Sequence, residues 1–486
     1  MDGTQVLYCW NQGYILKQRK MKRYILITIT LLLFCLSACD DFLDVIPTGT
    51  LIPSTVEDYD KLLNNGNLIY TNWYNLHYMD PDLYMPDQHY NNIWQNQWRK
   101  QYTWSEDPYD EKDQDGDWNQ RYKYIYIYNL VINDIDNAPL GNRLESDRAL
   151  IKGDALAQRA MDFFILVNEY AHHVTDETMD DPGVPLPLVE DLEAQLPRST
   201  IGEVYDRILT DLKEAESLLS GGPAIRMEAN FRPGTASVKA LLGTIYLYMG
   251  DWAKAEQYTG EALALYNFVY DFNELDHNVP GKPWTALNND RKFLYLTDTE
   301  SAVWSRHFST WFYDPAHLYS PELRDLYNME TDRRWYLFSG EYTWYDQRNS
   351  TLPDYVFIRD YAATNAGMTV PRLMLDNAEA KVRNGKGQEA IDMLNQLAVY
   401  RYTTREATFT YTNDAETLQE VKDERRRELC YTGNNFIDQK RYHAYGETIP
   451  TFTRTIPSGE TFTLEPGSDK WVVPIARLVQ YSNPNL

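Results

Sequence analysis

Hydrophobic and polar positions repeat with helical spacing over several long segments of the chain. Between Ala236 and Leu265 the apolar residues recur three and four positions apart, and Gly250-Asp251 interrupts the repeat. Such spacing places an apolar stripe along one face of a helix, and a glycine in the middle marks a break. The segment therefore predicts two helices joined by a short turn, with small residues such as Ala255 and Ala262 where the helices cross.

The same helix, turn, helix pattern recurs and resembles the tetratricopeptide unit. A second pair is predicted at 371–400, with Gly385-Lys386-Gly387 as its turn. A third pair is predicted from Leu150 to Tyr170 and from Ile201 to Leu219. Thr200 precedes the last of these helices and Glu203 follows three residues later, which is the pattern of a capping box. A further helix is predicted at about 121–135.

Residues 67–118 and 268–365 have a different character. They are rich in Trp, Tyr, Asn, Asp and Pro and show little periodicity, which is typical of long ordered loops and short elements. The predicted fold is therefore mainly α, with helical pairs at about 120–265 and 370–442. This scaffold would carry long irregular loops and few short strands.

The N-terminal segment has the layout of an export signal. A basic stretch at 17–23 precedes about a dozen mostly apolar residues, and Leu36-Ser37-Ala38-Cys39 is followed at once by acidic residues. The apolar run is too short for a membrane helix, which needs about 20 residues. The layout predicts a signal peptide over residues 1–38, for which Met21 is a more natural start than Met1. Residues 39–486 would then form a single mature domain.

Charge and cysteine content exclude several kinds of partner and site. The net charge of −25 argues against nucleic acid, whose phosphates require basic patches. Of the four cysteines, two lie in the predicted signal and Cys39 directly follows it. Cys430 is left without an intramolecular partner, so neither a disulfide framework nor zinc spacing is predicted.

Several stretches, in order along the whole chain, resemble the SusD/RagB family, the outer-membrane glycan-binding lipoproteins of Bacteroidetes nutrient-uptake systems. Leu36-Ser37-Ala38-Cys39 resembles the lipobox of bacterial lipoproteins, and Cys39-Asp40-Asp41-Phe42-Leu43-Asp44 resembles the family's mature start. The other matching stretches are ALAQRAMDFFILVNEYAHHV at 155–174, DPGVPLPL at 181–188, RSTIGEVYDRILTDLKEAESLL at 198–219, ERRREL at 424–429 and KWVVPIARLVQYSNPNL at 470–486.

The resemblance implies a function. Cys39 would carry lipid and anchor the protein in the outer membrane, facing the cell exterior. The protein would capture an oligosaccharide or polysaccharide and pass it to a SusC-like TonB-dependent transporter. Peptide cargo on the same fold, a passive lid and a glycoside hydrolase remain alternatives. No enzyme is predicted, because no nucleophile elbow, Walker loop or dinucleotide-binding fingerprint occurs in the sequence.

Aromatic residues interleaved with amides are the candidate ligand site. Sugars stack their C–H faces on Trp and Tyr rings, while amides and Arg reach their hydroxyls. Many such rings are simply core, so the group is a stronger prediction than any single member. The candidates are Trp73, Tyr74, Tyr78, Trp94, Asn96, Trp98, Trp104, Trp304, Arg306, Trp311 and Tyr313.

An acidic run invites comparison with a calcium loop. With Glu111 as the first position, Asp113, Asp115 and Asp117 take the third, fifth and seventh positions of an EF-hand-like loop. The twelfth position is Tyr122 rather than the bidentate glutamate that such a loop needs. The run is therefore interpreted as an acidic loop, with calcium as the alternative, and no other cofactor is predicted.

Arg425-Arg426-Arg427, which has acidic residues on both sides, is interpreted as an ion-paired helix surface or a structural network.

Overall fold

Helices make up most of the chain that the computed structural model describes, namely residues 53–93, 95–191, 193–282, 287, 300–308, 318–340, 356–357, 364–406 and 408–486. The helices are α1 Val56–Leu63, α2 Tyr74–Met79, α3 Asp87–Asn92, α4 Asn96–Tyr102, α5 Gly116–Asp134, α6 Glu145–Tyr170, α7 Ile201–Leu218, α8 Thr235–Tyr248, α9 Trp252–Leu265, α10 Pro321–Arg324, α11 Arg333–Phe338, α12 Val370–Arg383, α13 Gly387–Ala398, α14 Asp414–Glu428, α15 Asn434–Ala444 and α16 Arg477–Ser482. The mainly α prediction is confirmed.

The long helices pack as successive pairs. Helix α6 packs on α5 and α7, α8 packs on α9, and α12 packs on α9, α13 and α14. These are the three predicted pairs and the predicted helix at 121–135, so the tetratricopeptide-type scaffold is confirmed. The described residues from Thr55 to Leu486 form one compact unit. No helix among the described residues is both long and apolar enough to cross a membrane.

Local sequence signals fix where these helices begin and end. The Thr200 side chain accepts a hydrogen bond from the Glu203 N–H at 3.2 Å, and the Glu203 carboxylate accepts one from the Thr200 N–H at 2.8 Å. This confirms the predicted capping box, which satisfies N–H groups left open at a helix start. The turns at Gly250 and Gly385 have φ of 76° and 75°, a region that glycine enters without steric cost.

The crossing of α8 and α9 depends on a glycine. A Cβ added at Gly243 would lie 2.5 Å from Cγ2 of Thr259, whereas one at Gly260 would meet nothing closer than 3.8 Å. We expect Gly243→Ala to destabilise the fold by about 1–2 kcal/mol, since overpacking outweighs the gain in helix propensity. Gly260→Ala, the matched control, is expected to stabilise it by about 0.5–1 kcal/mol. Urea unfolding of both variants tests this, and equal shifts in the same direction would contradict it.

The strands are short, as predicted, and lie mainly in the segments that link the helical pairs. They are β1 Leu83–Tyr84, β2 Ala302–Trp304, β3 His307–Phe308, β4 Leu318–Tyr319, β5 Ser339–Gly340, β6 Val356–Phe357, β7 Thr364–Asn365, β8 Met368–Thr369, β9 Phe452–Thr455 and β10 Thr461–Leu464. One sheet has the order β1-β4-β6-β5, and the pairs β2-β8, β3-β7 and β9-β10 are separate. Strand β1 pairs antiparallel with β4, which connects residue 84 to residue 318.

A buried ion-pair network joins α12, α14 and α15. Arg441 donates to both carboxylate oxygens of Glu379, at 2.6 and 2.8 Å. Arg425 bridges Asp376 and Asp438, and Asp438 also accepts from Arg441 at 3.1 Å. Arg425 and Arg427 are buried, so the arginine run belongs to a structural network rather than to a solvated helix surface. Packing and these charges together hold the C-terminal helices.

Candidate functional site

Three of the predicted aromatic residues meet at the contact between α2 and α4. Tyr74 and Tyr78 lie one turn apart on α2, and both stack against Trp98 of α4. The ring centroids are 5.3 and 5.1 Å from that of Trp98, with interplanar angles of 22° and 21°. Tyr78 is buried, whereas Tyr74 and Trp98 remain partly exposed. We call Tyr74, Tyr78 and Trp98 the aromatic platform.

Polar side chains that are exposed or partly exposed also occur on α4. Asn96 begins α4 and is exposed, and its side-chain amide donates to Asp110 at 3.1 Å. Lys100, on the same helix, pairs with Asp110 at 2.8 Å. These contacts tie α4 to the loop that follows it. Asn96 and Lys100 lie one turn apart on α4, whereas Trp98, two positions from each, lies on another face of the helix.

A second layer of buried rings supports the platform. Tyr319 of β4 stacks on Trp335 of α11 at 5.4 Å, and Tyr327 lies 5.7 Å from Trp335. These rings share one apolar cluster with Tyr78. Tyr431, in the same cluster, has φ of 62°, which is unusual for a bulky side chain. The cluster therefore joins α2 to chain segments more than 200 residues away in sequence.

Arg454 connects the ends of the two helices that carry the platform. Its guanidinium, on β9, donates to the carbonyl oxygens of Tyr78 at 3.0 Å and Leu83 at 3.1 Å, and also to those of Asp80 and Tyr102. The side chain is buried, and burial lowers its pKa to about 10. The charged group thus satisfies main-chain acceptors at the C-terminal ends of α2 and α4, where a cation is favoured.

Sequence reasoning missed Arg454 because it lies in a C-terminal hairpin far from the aromatic segments. The guanidinium stacks over Tyr102 at 4.0 Å and Trp104 at 4.3 Å. One sequence signal could have found it. In β9, Phe452 and Arg454 are buried and the residues between and after them are exposed. An arginine at an inward position of an alternating strand needs buried acceptors.

Five of the predicted ligand contacts are core residues, which corrects those predictions. Trp73, Trp104, Trp304 and Arg306 are at most 4% exposed, so they present no face to a ligand. The indole N–H groups of Trp104 and Trp304 donate to main-chain carbonyls of Met79 and Phe231, at 2.8 and 3.0 Å. Tyr78 is likewise buried and supports Trp98. Trp94, Trp311, Tyr313 and Cys39 lie outside the described residues.

The acidic run is a helix cap rather than a calcium loop, which corrects that alternative. Oδ1 of Asp115 accepts from the N–H groups of Asp117 and Trp118, both at 3.1 Å, and so caps α5. Its Oδ2 accepts from the hydroxyls of Tyr170 at 2.7 Å and Tyr109 at 2.9 Å. Oxygens occupied by donors are not placed to bind a cation. The described residues contain no group of three or more His, Cys, Asp or Glu arranged for a metal.

The other two aspartates of the run also have structural partners. Asp113 is only partly buried, and its carboxylate accepts from the Asp110 N–H at 2.8 Å. Asp117 is buried, and its Oδ2 accepts from the Asn75 N–H at 2.9 Å. Asn75 belongs to α2, directly beside Tyr74. The acidic run therefore anchors the helix that carries two platform rings.

Asp117 makes the stability of this region sensitive to pH. Burial and the neighbouring Asp115 raise its pKa to about 7, whereas an aspartate in an unfolded chain titrates near ~4. Between these values the folded protein holds a proton that the unfolded chain releases. The stability that depends on a neutral Asp117 is therefore fully present below pH ~4 and is lost as pH rises through about 7. We expect the free energy of unfolding to fall over this interval, on the order of 4 kcal/mol.

Urea unfolding between pH 4.5 and 8 would measure this effect, because this range covers most of the interval between the pKa values of Asp117 in the unfolded and folded protein. Asp117→Asn cannot ionise, so its stability should vary less with pH than that of the wild type. Asp176→Asn, at an exposed position, is the matched control and should follow the wild type. A wild-type stability that stays constant or increases with pH would contradict the assignment.

A family model described as "Starch-binding associating with outer membrane" matches residues 41–247, and the SusD family model matches residues 372–469. No curated protein is matched.

Solved structures share the fold over most of the chain. A SusD-like carbohydrate binding protein from Bacteroides vulgatus is 22% identical, with 89% of this chain and 98% of that chain covered and a TM-score of 0.64. A SusD superfamily protein from Bacteroides thetaiotaomicron is 18% identical, with 89% and 98% covered and a TM-score of 0.65. Surface glycan-binding protein A from Bacteroides uniformis is 17% identical, with 89% and 99% covered and a TM-score of 0.62.

The two family models fall on the helical scaffold and on the C-terminal ion-pair network, and they match in the order that the resemblance predicted. The prediction of the family is thereby confirmed. The chain belongs to the SusD/RagB family.

Proposed function

We propose that the protein captures a glycan at the cell surface, with the aromatic platform as a binding surface. The observation that carries this proposal is the stack of Tyr74 and Trp98, two partly exposed rings in nearly parallel planes. A flat aromatic surface is complementary to the C–H face of a sugar ring.

The support beneath the platform favours a preformed site. Trp98 is held from α2 by Tyr74 and Tyr78 together, and Arg454 fixes the ends of α2 and α4. Because the rings are already ordered, a ligand would lose little affinity to their immobilisation. The net charge of −25 disfavours sulfated or uronic polymers at long range. We therefore propose a neutral oligosaccharide as cargo.

Membership of the family supports the remaining steps of the proposal. The family description names starch binding and association with the outer membrane, and two of the solved structures described above are named as carbohydrate- or glycan-binding proteins. We propose that lipid on Cys39 anchors the protein in the outer membrane and that the cargo passes to a SusC-like TonB-dependent transporter. No catalytic role is proposed for any residue.

A binding screen tests the proposed cargo. Residues 40–486 would be run in affinity electrophoresis and titration calorimetry against plant, host and microbial polysaccharides, with and without calcium. We expect one class of neutral glycan to retard the protein, independently of calcium. Peptide digests form the second arm of the screen. Retention by peptides together with failure of every polysaccharide would contradict glycan capture and support peptide cargo on the same fold.

A further inference from the structure

A second cleft lies between the start of α5, residues 185–187 and 194–196, and the C-terminal helix α16. It encloses about 400 Å³, within the roughly 300–1,000 Å³ of small-ligand pockets. None of the side chains that line it in the described chain is charged, although charged residues are 24% of the sequence. This chemistry disfavours phosphates and carboxylates as ligands, because each would be desolvated there without a counter-charge.

The cleft combines apolar walls with polar groups. Trp118 and Tyr122 lie one turn apart on α5 with ring centroids 4.7 Å apart, and Pro185 and Pro187 line the facing segment. Gln114 and Asn119 also line the cleft and are exposed. Flat apolar surfaces with a few amides fit a ligand that has both C–H faces and hydroxyls, which describes a neutral sugar.

Both walls of the cleft are held in place. The Tyr122 hydroxyl donates to the Pro185 carbonyl at 3.0 Å, and Arg198 donates to the carbonyls of Gly183 at 2.7 Å and Pro182 at 2.8 Å. On the opposite side the Asn483 amide donates to the Leu196 carbonyl at 2.7 Å. These bonds fix the facing segment against α5 and against the C-terminal residues. The cavity is therefore preformed, so a small ligand can bind without reorganising it.

We propose that this cleft is a second saccharide site, which takes a neutral mono- or disaccharide unit. Tyr122 and Pro187, which are partly exposed, would contact the sugar ring, with the buried Trp118 and Pro185 behind them, and Gln114 and Asn119 would bond its hydroxyls. The cleft shares no lining residue with the aromatic platform, so the two sites can be tested separately. Two sites on one chain would let a long glycan be held at two points, which raises its overall affinity.

Saturation-transfer NMR with maltose, cellobiose and lactose tests the second site. Glucuronic acid is the charged comparison and is expected to give no transfer. Three variants are compared with the wild type. Asn119→Ala removes an amide, Ser482→Trp fills the cleft from the end of α16, and Trp98→Ala removes the platform. We expect Asn119→Ala to weaken disaccharide binding by about tenfold, the effect of one lost hydrogen bond, and Ser482→Trp to abolish it.

The variants also separate failure of this site from failure of the proposed function. Transfer that persists in Trp98→Ala and disappears in Ser482→Trp supports the cleft as a separate site. Transfer that is lost only in Trp98→Ala, or no transfer to the wild type, overturns the second site. Neither of these results decides whether the platform binds polysaccharide, which the binding screen measures separately. Thermal unfolding of Asn119→Ala and Ser482→Trp, both at exposed positions, should match the wild type.

Discussion

Replacing Arg454 with methionine is expected to lower the free energy of unfolding by about 3–5 kcal/mol and to weaken glycan binding. The substitution keeps most of the apolar stem but leaves the carbonyls of Tyr78, Asp80, Leu83 and Tyr102 without their charged donor. The carbonyls of Tyr78, Asp80 and Tyr102 lie where α2 and α4 end, so the spacing of the platform rings should change as well. Urea unfolding and glycan titration of the same variant measure the two effects.

Two further variants show whether Arg454 positions the rings or only stabilises the fold. Arg454→Lys keeps the charge but not the planar fork that reaches several acceptors. It should recover part of the stability and less of the affinity. Arg477→Met removes an arginine from an exposed pair with Asp107 and should cost at most about 1 kcal/mol. If Arg454→Lys retained full affinity at reduced stability, a positioning role would be excluded.

Breaking the network at Arg441 is expected to have an effect of similar size. Burial alone would raise the pKa of Glu379, but Arg441 and Arg383 hold it well below its usual value. Arg441→Met leaves that carboxylate with one partner and also removes a donor to Asp438. Removing one member of a buried ion pair typically costs about 3–5 kcal/mol. Chemical unfolding at pH 7 gives the cost directly.

The double variant Arg441→Met/Glu379→Met tests whether the loss comes from the stranded charge. Replacing both members removes the unpaired carboxylate, so part of the stability should return. Lys61→Met, at an exposed pair with Glu57, is the surface comparison and should change stability by less than about 1 kcal/mol. A double variant less stable than the sum of the two single variants would argue against this account.

Periodic segments made the scaffold predictable. Each helical pair repeats an apolar stripe over four or more turns, and the capping box at Thr200 and the turn glycines Gly250 and Gly385 mark the ends. Such signals are local, so they can be read without knowledge of the fold. Gly243 also fits the predicted small residues at a helix crossing.

The candidate site was less predictable because burial is not a local property. Trp98 and Trp104 lie six residues apart in similar surroundings, yet Trp98 is partly exposed and Trp104 is core. Trp104 differs from Trp98 in being covered by Arg454, which stacks over it from a hairpin some 350 residues away. Sequence composition identified the segment that carries the platform, and only the tertiary contacts could separate its partly exposed rings from the buried ones.

The aspartates at 113, 115 and 117 show the same limit. Their spacing alone fits either a cation loop or a capped helix start, since both place carboxylate oxygens near main-chain groups. The deciding partners are Tyr109, Tyr170 and Asn75, which the sequence places up to 55 residues away. Long-range hydrogen bonds therefore decided the role of the run.

The central claim is that the exposed rings of the platform bind glycan, and calorimetric titration of Trp98→Ala tests it most directly. The titrant is the polysaccharide class that retards the wild type. We expect the affinity of Trp98→Ala to fall at least about tenfold, or roughly 1.4 kcal/mol. Trp98→Phe, which keeps a smaller ring, should lose less. Tyr411→Ala, which removes another partly exposed ring, should bind as the wild type does. Unchanged affinity in folded Trp98→Ala would contradict the account.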